Sequence, residues 1–397
     1  MQCIRKVADK IYWVGANDRR IAKFENMFPV PRGVSYNSYV IIDEKTALID
    51  TADSSVSERF MENVEAALGG RGLDYMVIQH MEPDHCANIA AIIERYPDVT
   101  VVGNAKTIQM MGQFFSKAKT AKTLLVKEGD ALLLGHHNLT FVMAPMVHWP
   151  EVMVSYDTTK KILFSADAFG TFGALNGFLF NDEIQFGEVW MEDARRYYTN
   201  IVGKYGPQVQ ALLKKAAGLD IRMICPLHGP VWRNNLEMLI EKYDKWSKYE
   251  AEEDGVLIVY GSMYGNTENA AEVIAAELAE KGMTNIAMYD ASVTDCSFLI
   301  AEAFKYNRII VAAPTYNAGL FAPVEHFLLD MKALNVQNKK IALVENGSWA
   351  PMAAKHMRAI VETLKNCEVM ETALTVKSAL QAEQKEEVEA FVSELLK

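Results

Sequence analysis

The chain has 397 residues, half of them hydrophobic and 23% charged, with 40 Lys and Arg against 51 Asp and Glu for a net charge of −11. At about 150 residues per domain this length predicts two to three domains with ample core, and the balance excludes a disordered or collagen-like chain. The acidic surplus argues against nucleic acid and anionic membrane as main partners. The five cysteines (Cys3, Cys86, Cys225, Cys296 and Cys367) are scattered and form no C-x-x-C pair. They exclude a disulfide framework and a Cys₄ iron site, and they fit a reducing cytoplasm. The segment Met1–Lys6 lacks the apolar core of a signal peptide, and no run approaches the roughly 18 apolar residues of a membrane span.

In chain order, Ser38–Ile42 and Thr46–Asp50 read as paired strands around the polar turn Asp43-Glu44-Lys45. Short strands follow at 76–79, 99–102, 139–142, 152–156, 162–164 and 221–225, with helices near 54–68, 105–116, 191–203 and 232–247. Many strands with interspersed helices predict a layered sandwich with helices outside. A charged stretch at 242–255 contains a linker at about 247–254, and the pattern then changes. Strands at 256–260, 309–313, 341–344 and 369–376 alternate with helices at 266–281, 321–333, 352–365 and 381–396, the pattern of a doubly wound parallel sheet. The expected domains are 1–250 and 255–397.

The segment His80-Met81-Glu82-Pro83-Asp84-His85 follows a strand and places four potential metal ligands within six residues. Crowding such groups at a strand end costs desolvation and repulsion unless a cation is present. His148, Asp167 and His228 each follow a strand or sit in a loop. Together the seven suffice for two metal ions sharing one carboxylate. Cys86, beside His85, reads as a small buried residue, and His136, His137, His326 and His356 carry no assignment.

The order H-x-E-x-D-H, then His, Asp and His, resembles the metallo-β-lactamase superfamily, whose hydrolases usually carry H-x-H-x-D-H. Here Glu82 replaces the second histidine, a harder donor that favours iron over zinc. With Gly33-Val34-Ser35-Tyr36-Asn37-Ser38-Tyr39, His148-Trp149-Pro150 and Pro226-Leu227-His228-Gly229-Pro230, this resembles the flavodiiron proteins. The resemblance implies one iron on His80, Glu82 and His148, a second on Asp84, His85 and His228, and Asp167 as the bridge. The family varies in whether the position of His85 binds. Tyr197 matches a family tyrosine near the metals, and Glu25 stands where some members carry histidine.

In the second half, the strand at 256–260 runs into Ser262, Met263, Tyr264, Gly265, Asn266 and Thr267 and then a helix, a loop whose N–H groups can cradle a monophosphate. It has no lysine and is not a nucleotide-triphosphate loop. Two later strand ends carry Pro314, Thr315, Tyr316, Asn317, Ala318 and Gly319, and Asn346, Gly347, Ser348 and Trp349. In loop order and size this half resembles flavodoxin, which implies FMN.

The expected architecture is an αββα metallo-β-lactamase-like domain followed by a flavodoxin-like doubly wound sheet. The expected function is a cytoplasmic oxidoreductase that reduces O₂ to water, NO to N₂O, or both. The resemblance implies rubredoxin as donor, or a reduced deazaflavin, and a head-to-tail homodimer or a dimer of such dimers. The alternatives are a dinuclear zinc hydrolase with a flavodoxin-like appendage and an electron carrier with a vestigial metal site.

Overall fold

A computed structural model describes residues 2–184 and 187–397. The chain divides into two compact units. One comprises the residues up to Tyr198 with Pro207–Asp244, the other Thr199–Gly206 with Lys245–Lys397.

The first unit is built on two sheets. One has seven strands, in the order Arg5–Ala8, Ile11–Trp13, Tyr39–Ile42, Thr46–Ile49, Tyr75–Val77, Thr100–Gly103 and Lys122–Leu125. Its first four strands are antiparallel neighbours and the remainder pair in parallel. The second sheet runs Ala131–Leu133, Asn138–Met143, Met153–Asp157, Ile162–Phe164 and Met223–Cys225. Trp13, Tyr39, Ile41 and Val77 of the first sheet share one buried cluster with Phe141, Phe164 and Cys225 of the second, so the core lies between the sheets. The helix Ser57–Leu68 buries Phe60, Val64 and Leu68, a single face at helical spacing, and stops at Gly69 in the left-handed conformation (φ 59°).

The predicted hairpin is present, with Val40 opposite Leu48. The helix expected over 191–203 is α-helical only over Glu188–Tyr197 and then widens into a π-turn over Tyr198–Val202. The helix expected from 232 starts at Leu236, because Trp232 instead bridges to Ile224 as extended chain.

In the second unit all five principal strands are parallel, in the order Ile286–Asp290, Glu253–Tyr260, Tyr306–Tyr316, Lys340–Asn346 and the pair Glu368–Val369 and Leu374–Val376. Numbered along the chain this is 2-1-3-4-5, the flavodoxin-like order, with a crevice at the carboxyl ends of the first and third strands. Val256, Leu257, Ile258 and Val259 are fully buried, as strands covered on both faces require. The edge strand Ile286–Asp290 and the helix Cys296–Lys305 carry no signal in the sequence reading. All five strand residues are half-buried, so the strand shows neither an apolar run nor alternation.

Lys339 is buried at the start of this sheet and donates to the carbonyls of Phe304 (3.1 Å) and Tyr306 (2.7 Å). Burial brings its pKa down from 10.5 to about 7. Between these values the unfolded chain binds the extra proton, so this residue's contribution to stability rises with pH across the window. The wild type is therefore expected to gain on Lys339→Met as pH goes from 7 to 10, measured by urea unfolding, and a constant difference would contradict this.

Candidate metal and flavin sites

The parallel strand Tyr75–Val77 delivers the chain to His80, and Glu82 leads into a short helix, Pro83–Cys86, with proline at its first position. The loop is fixed from outside. Asp50 accepts from the Gln79 N–H (2.8 Å), the Gln79 side chain (3.1 Å) and the His80 N–H (3.3 Å). Thr51 donates to the His85 carbonyl from both its N–H (2.8 Å) and its hydroxyl (2.7 Å).

All seven predicted ligands come together, each under a tenth exposed. They form two groups. In the first, Nε2 of His80 and of His148 lie 3.2 and 3.0 Å from Glu82 Oε2, and 3.2 and 3.1 Å from Asp167 Oδ2. In the second, Nε2 of both His85 and His228 lies 3.2 Å from Asp84 Oδ2, and Asp167 Oδ1 is 3.1 and 3.7 Å from them. Asp167 thus turns one oxygen to each group.

The donor set fits two cations. His228 Nδ1 faces the Ser35 carbonyl at 2.8 Å and must donate there, which leaves a lone pair on Nε2. That atom meets His85 Nε2 at 3.0 Å, and among the described residues no hydrogen bond of normal geometry reaches Asp84 Oδ1 or Oδ2 or Asp167 Oδ1. Bare acceptors converge where something positive is needed. The titration behaviour agrees. Burial opposes a charge on His85 and His148, yet Asp84, Asp167 and Glu82 outweigh it and raise them to about 10 and about 9. Burial also opposes the charge on Asp167, but the surrounding histidines hold it well below the carboxylate range. The cluster therefore gathers protons where metal ions would replace them.

Sequence reading missed the residues that orient this set. Glu151, fully buried, accepts from His80 Nδ1 (2.9 Å) and from the Met81 N–H (2.8 Å), which aims His80 Nε2 inward. The motif at 33–39 fastens the His228 loop. Asn37 donates to the carbonyls of Pro226 (2.9 Å) and Gly229 (2.8 Å), and Tyr39 to Pro226 (2.7 Å). Gly229 is at φ 77°, and a β-carbon there would meet Thr171 at 2.1 Å.

Tyr197 is buried, with its ring 5.4 Å from that of His228 and its hydroxyl without a hydrogen-bond partner among the described residues. Burial, then the charges of Asp167, Asp84 and Glu82, keep it a neutral phenol. A cavity of about 680 Å³ opens onto the cluster at Glu82 and Asp84, past Phe24, Glu25 and Tyr36. Burial and the charge of Glu82 push the Glu25 carboxyl up to about 8. Cys86 donates to the Met81 carbonyl (3.1 Å), and burial raises its thiol to about 12, so it is a small core residue as read.

In the second unit the three loops surround a cavity of about 500 Å³. It is lined by Ser262, Met263, Tyr264, Asn266, Thr267, Pro314, Thr315, Tyr316, Asn317, Ala318, Asn346, Gly347, Ser348 and Trp349, by Ala350 at the end of the same loop, and by Met352 and Ser378, which carry no assignment from the sequence. Gly265 and Gly319 are absent from the lining. Gly265 makes the turn into the helix Asn266–Glu280 at φ 87°, and Gly319 pairs with Tyr316 in a hairpin. Among the described residues no side chain caps that helix, so its first N–H groups are open to an anion, and no lysine or arginine lines the cavity. Thr315 Oγ1 accepts from the N–H groups of Met352 (2.8 Å) and Ala353 (3.1 Å), and Asn346 donates to Thr267 Oγ1 (3.3 Å), tying the loops together.

Residues 34–229 match the ODP family of β-lactamase-like proteins, and residues 258–391 match flavodoxin. An uncharacterised protein of Methanocaldococcus jannaschii is 31% identical over 376 residues, 95% of this chain and 94% of its own. The anaerobic nitric oxide reductase flavorubredoxin of Vibrio vulnificus is 33% identical over 359 residues, 89% of this chain and 72% of its own. Among solved structures, the flavodiiron protein of Giardia intestinalis superposes with a TM-score of 0.94 at 25% identity, covering 100% of this chain and 96% of that one. The rubredoxin:oxygen oxidoreductase of Desulfovibrio gigas gives 0.92 at 27% identity, covering 99% and 98%.

The orienting role of Glu151 has a direct check. Glu151→Gln keeps the shape but removes the charge behind His80, and is expected to weaken iron binding about tenfold in a chelator competition. Unchanged affinity would contradict that role.

Proposed function

The chain belongs to the flavodiiron family, and we propose that this oxidoreductase reduces O₂ to water, NO to N₂O, or both, at a diiron site fed by FMN. Residues 1–250 would form the diiron domain and 255–397 the FMN domain. The observation that carries it is Asp167, whose two oxygens face two separate histidine–carboxylate groups. His80, Glu82 and His148 would hold one iron, Asp84, His85 and His228 the other, and Asp167 both. The loop from Ser262 to Thr267, Tyr264 included, and the uncapped helix at Asn266 would take the FMN phosphate, with Tyr316 and Trp349 flanking the ring. When bound, two ferrous ions and a reduced flavin supply four electrons, the number that O₂ needs to become two waters, and two of them suffice to join two NO.

The chain's own groups supply the setting and the protons. Glu82 and Asp84, one from each donor group, both line the access cavity, so a small gas entering it would reach both groups. Phe24 and Phe172 pack with Tyr197 against His228, keeping that side dry. The neutral Tyr197 hydroxyl, without a hydrogen-bond partner among the described residues, can donate a hydrogen bond into the site, and we assign it the catalytic role.

The proposed donor is rubredoxin, supported by the names of the flavorubredoxin and the rubredoxin:oxygen oxidoreductase; reduced deazaflavin is the alternative. Trp349 and Tyr264 are each 91% exposed at the rim of the flavin cavity, an apolar lip that a second copy would cover. This supports the head-to-tail homodimer, or a dimer of such dimers. Among the described residues no helix is long and apolar enough to cross a membrane. All five cysteines are free, which supports a reducing cytoplasm.

The test is gas consumption by anaerobic protein replete in iron and FMN, with chemically reduced rubredoxin as donor and NO and O₂ supplied separately. Turnover of one gas or both is expected, and Tyr197→Phe is expected to slow it roughly ten- to a hundredfold at unchanged iron content. No turnover of either gas by the replete protein would overturn the reading.

A further inference from the structure

Away from the two sites, a third set of metal-type donors converges among the described residues, wholly within the second unit. Cys296 is the first residue of the helix Cys296–Lys305, and His326 and Asp330 stand one turn apart on the neighbouring helix Ala322–Ala333. One donor atom from each of the three lies within 4.8 Å of the others, and His326 Nε2 is 3.3 Å from Asp330 Oδ2. Cys296 does not cap its helix, since the Asp295 side chain accepts from the Ser297 N–H (3.0 Å). Cys296 and Asp330 are half-buried, whereas the His326 side chain is 68% exposed, so the group is anchored yet open to solvent.

We propose that Cys296, His326 and Asp330 bind one borderline-soft divalent cation, with zinc the best match and water as the fourth ligand. The proposal is independent of the diiron and flavin sites. The donor chemistry sets the class. A thiolate, an imidazole and one carboxylate suit zinc, while magnesium and calcium call for sets of oxygen donors. The spacing sets the geometry. Residues four apart share one helix face, so His326 and Asp330 form a chelating pair and the third donor comes from the adjoining helix. Ligands at about 2.0–2.3 Å from a tetrahedral zinc lie roughly 3.5 Å from one another, so the donors need to close by about 1 Å. The His326 side chain is 68% exposed, so its ring can adjust without displacing core side chains.

The alternative use of such a group, a reactive thiol, is disfavoured by its surroundings. Burial and the adjacent Asp330 carboxylate raise the thiol's pKa, which lowers its thiolate fraction and makes its alkylation slow but measurable. A cation reverses this by displacing the thiol proton to solvent and offsetting the carboxylate charge. Zinc would thereby clip two helices of the flavin-binding unit together.

The test uses protein replete in iron and FMN, equilibrated with zinc chloride and desalted. Zinc is counted per chain, and alkylation of Cys296 by iodoacetamide is followed by peptide mass spectrometry. One zinc is expected beyond any exchanged into the diiron position, and it should be lost in both Cys296→Ser and His326→Ala at unchanged iron and flavin content. Zinc should slow Cys296 alkylation by about tenfold or more, reversed by EDTA. Cobalt(II) should give a thiolate-to-metal absorption that Cys296→Ser lacks. The proposal fails if zinc stoichiometry is the same in wild type and both variants, or if Cys296 alkylates at the same rate with and without zinc. Should Cys296→Ser not fold, the exposed His326→Ala and the wild-type alkylation rates still decide it.

Discussion

Asp167 is a single carboxylate shared by four histidines, with Oδ2 toward His80 and His148 and Oδ1 toward His85 and His228. Buried as it is, it would be intolerable without positive charge on both sides. Much else in the first unit answers that constraint. Two sheets share one core, and the loops leaving their strands bring in donors from sequence positions as far apart as His80 and His228.

Holding those donors still requires backbone that ordinary residues avoid. Asp50, Met146, Ala166 and Phe169 all adopt positive φ, and each lies beside or near a ligand or an orienting group. At about 1 kcal/mol or more each, such conformations persist only where the surroundings enforce them. The enforcement is visible in hydrogen bonds from behind the site: Asp50 on the 79–80 backbone, Glu151 on His80, and Ser35, Asn37 and Tyr39 on the His228 loop. The flavin cavity is organised differently. Its strand ends are presented by a regular parallel sheet, and Thr315 and Asn346 suffice to knit the loops. The neutral lining suits a monophosphate held by backbone groups.

The same contrast governs how much the sequence discloses. Four donors within six residues make the 80–85 segment conspicuous without help, whereas His148, Asp167 and His228 are single polar residues whose meaning comes from their order. Glu151 and Asp50 are less legible still. Each is a lone carboxylate, and its partners lie 71 and about 30 residues away along the chain. Central parallel strands such as 256–260 are continuous apolar runs and easily read. The edge strand Ile286–Asp290 and the exposed Lys122–Leu125 follow no burial period, so only sheet pairing defines them. Gly265 is read from the sequence as part of the cofactor loop, whereas in the structure it makes the turn into the helix at φ 87° and does not line the cavity, a role set by a dihedral angle the sequence does not carry.

The central claim is that one carboxylate couples two metal positions. The most direct measurement is low-temperature Mössbauer and EPR spectroscopy of protein loaded with iron-57 and oxidised. Two irons per chain, antiferromagnetically coupled and EPR-silent in the diferric state, are the expected result, with coupling lost in Asp167→Ala. Two independent high-spin ferric signals in the wild type, or a single iron per chain at saturation, would contradict the account.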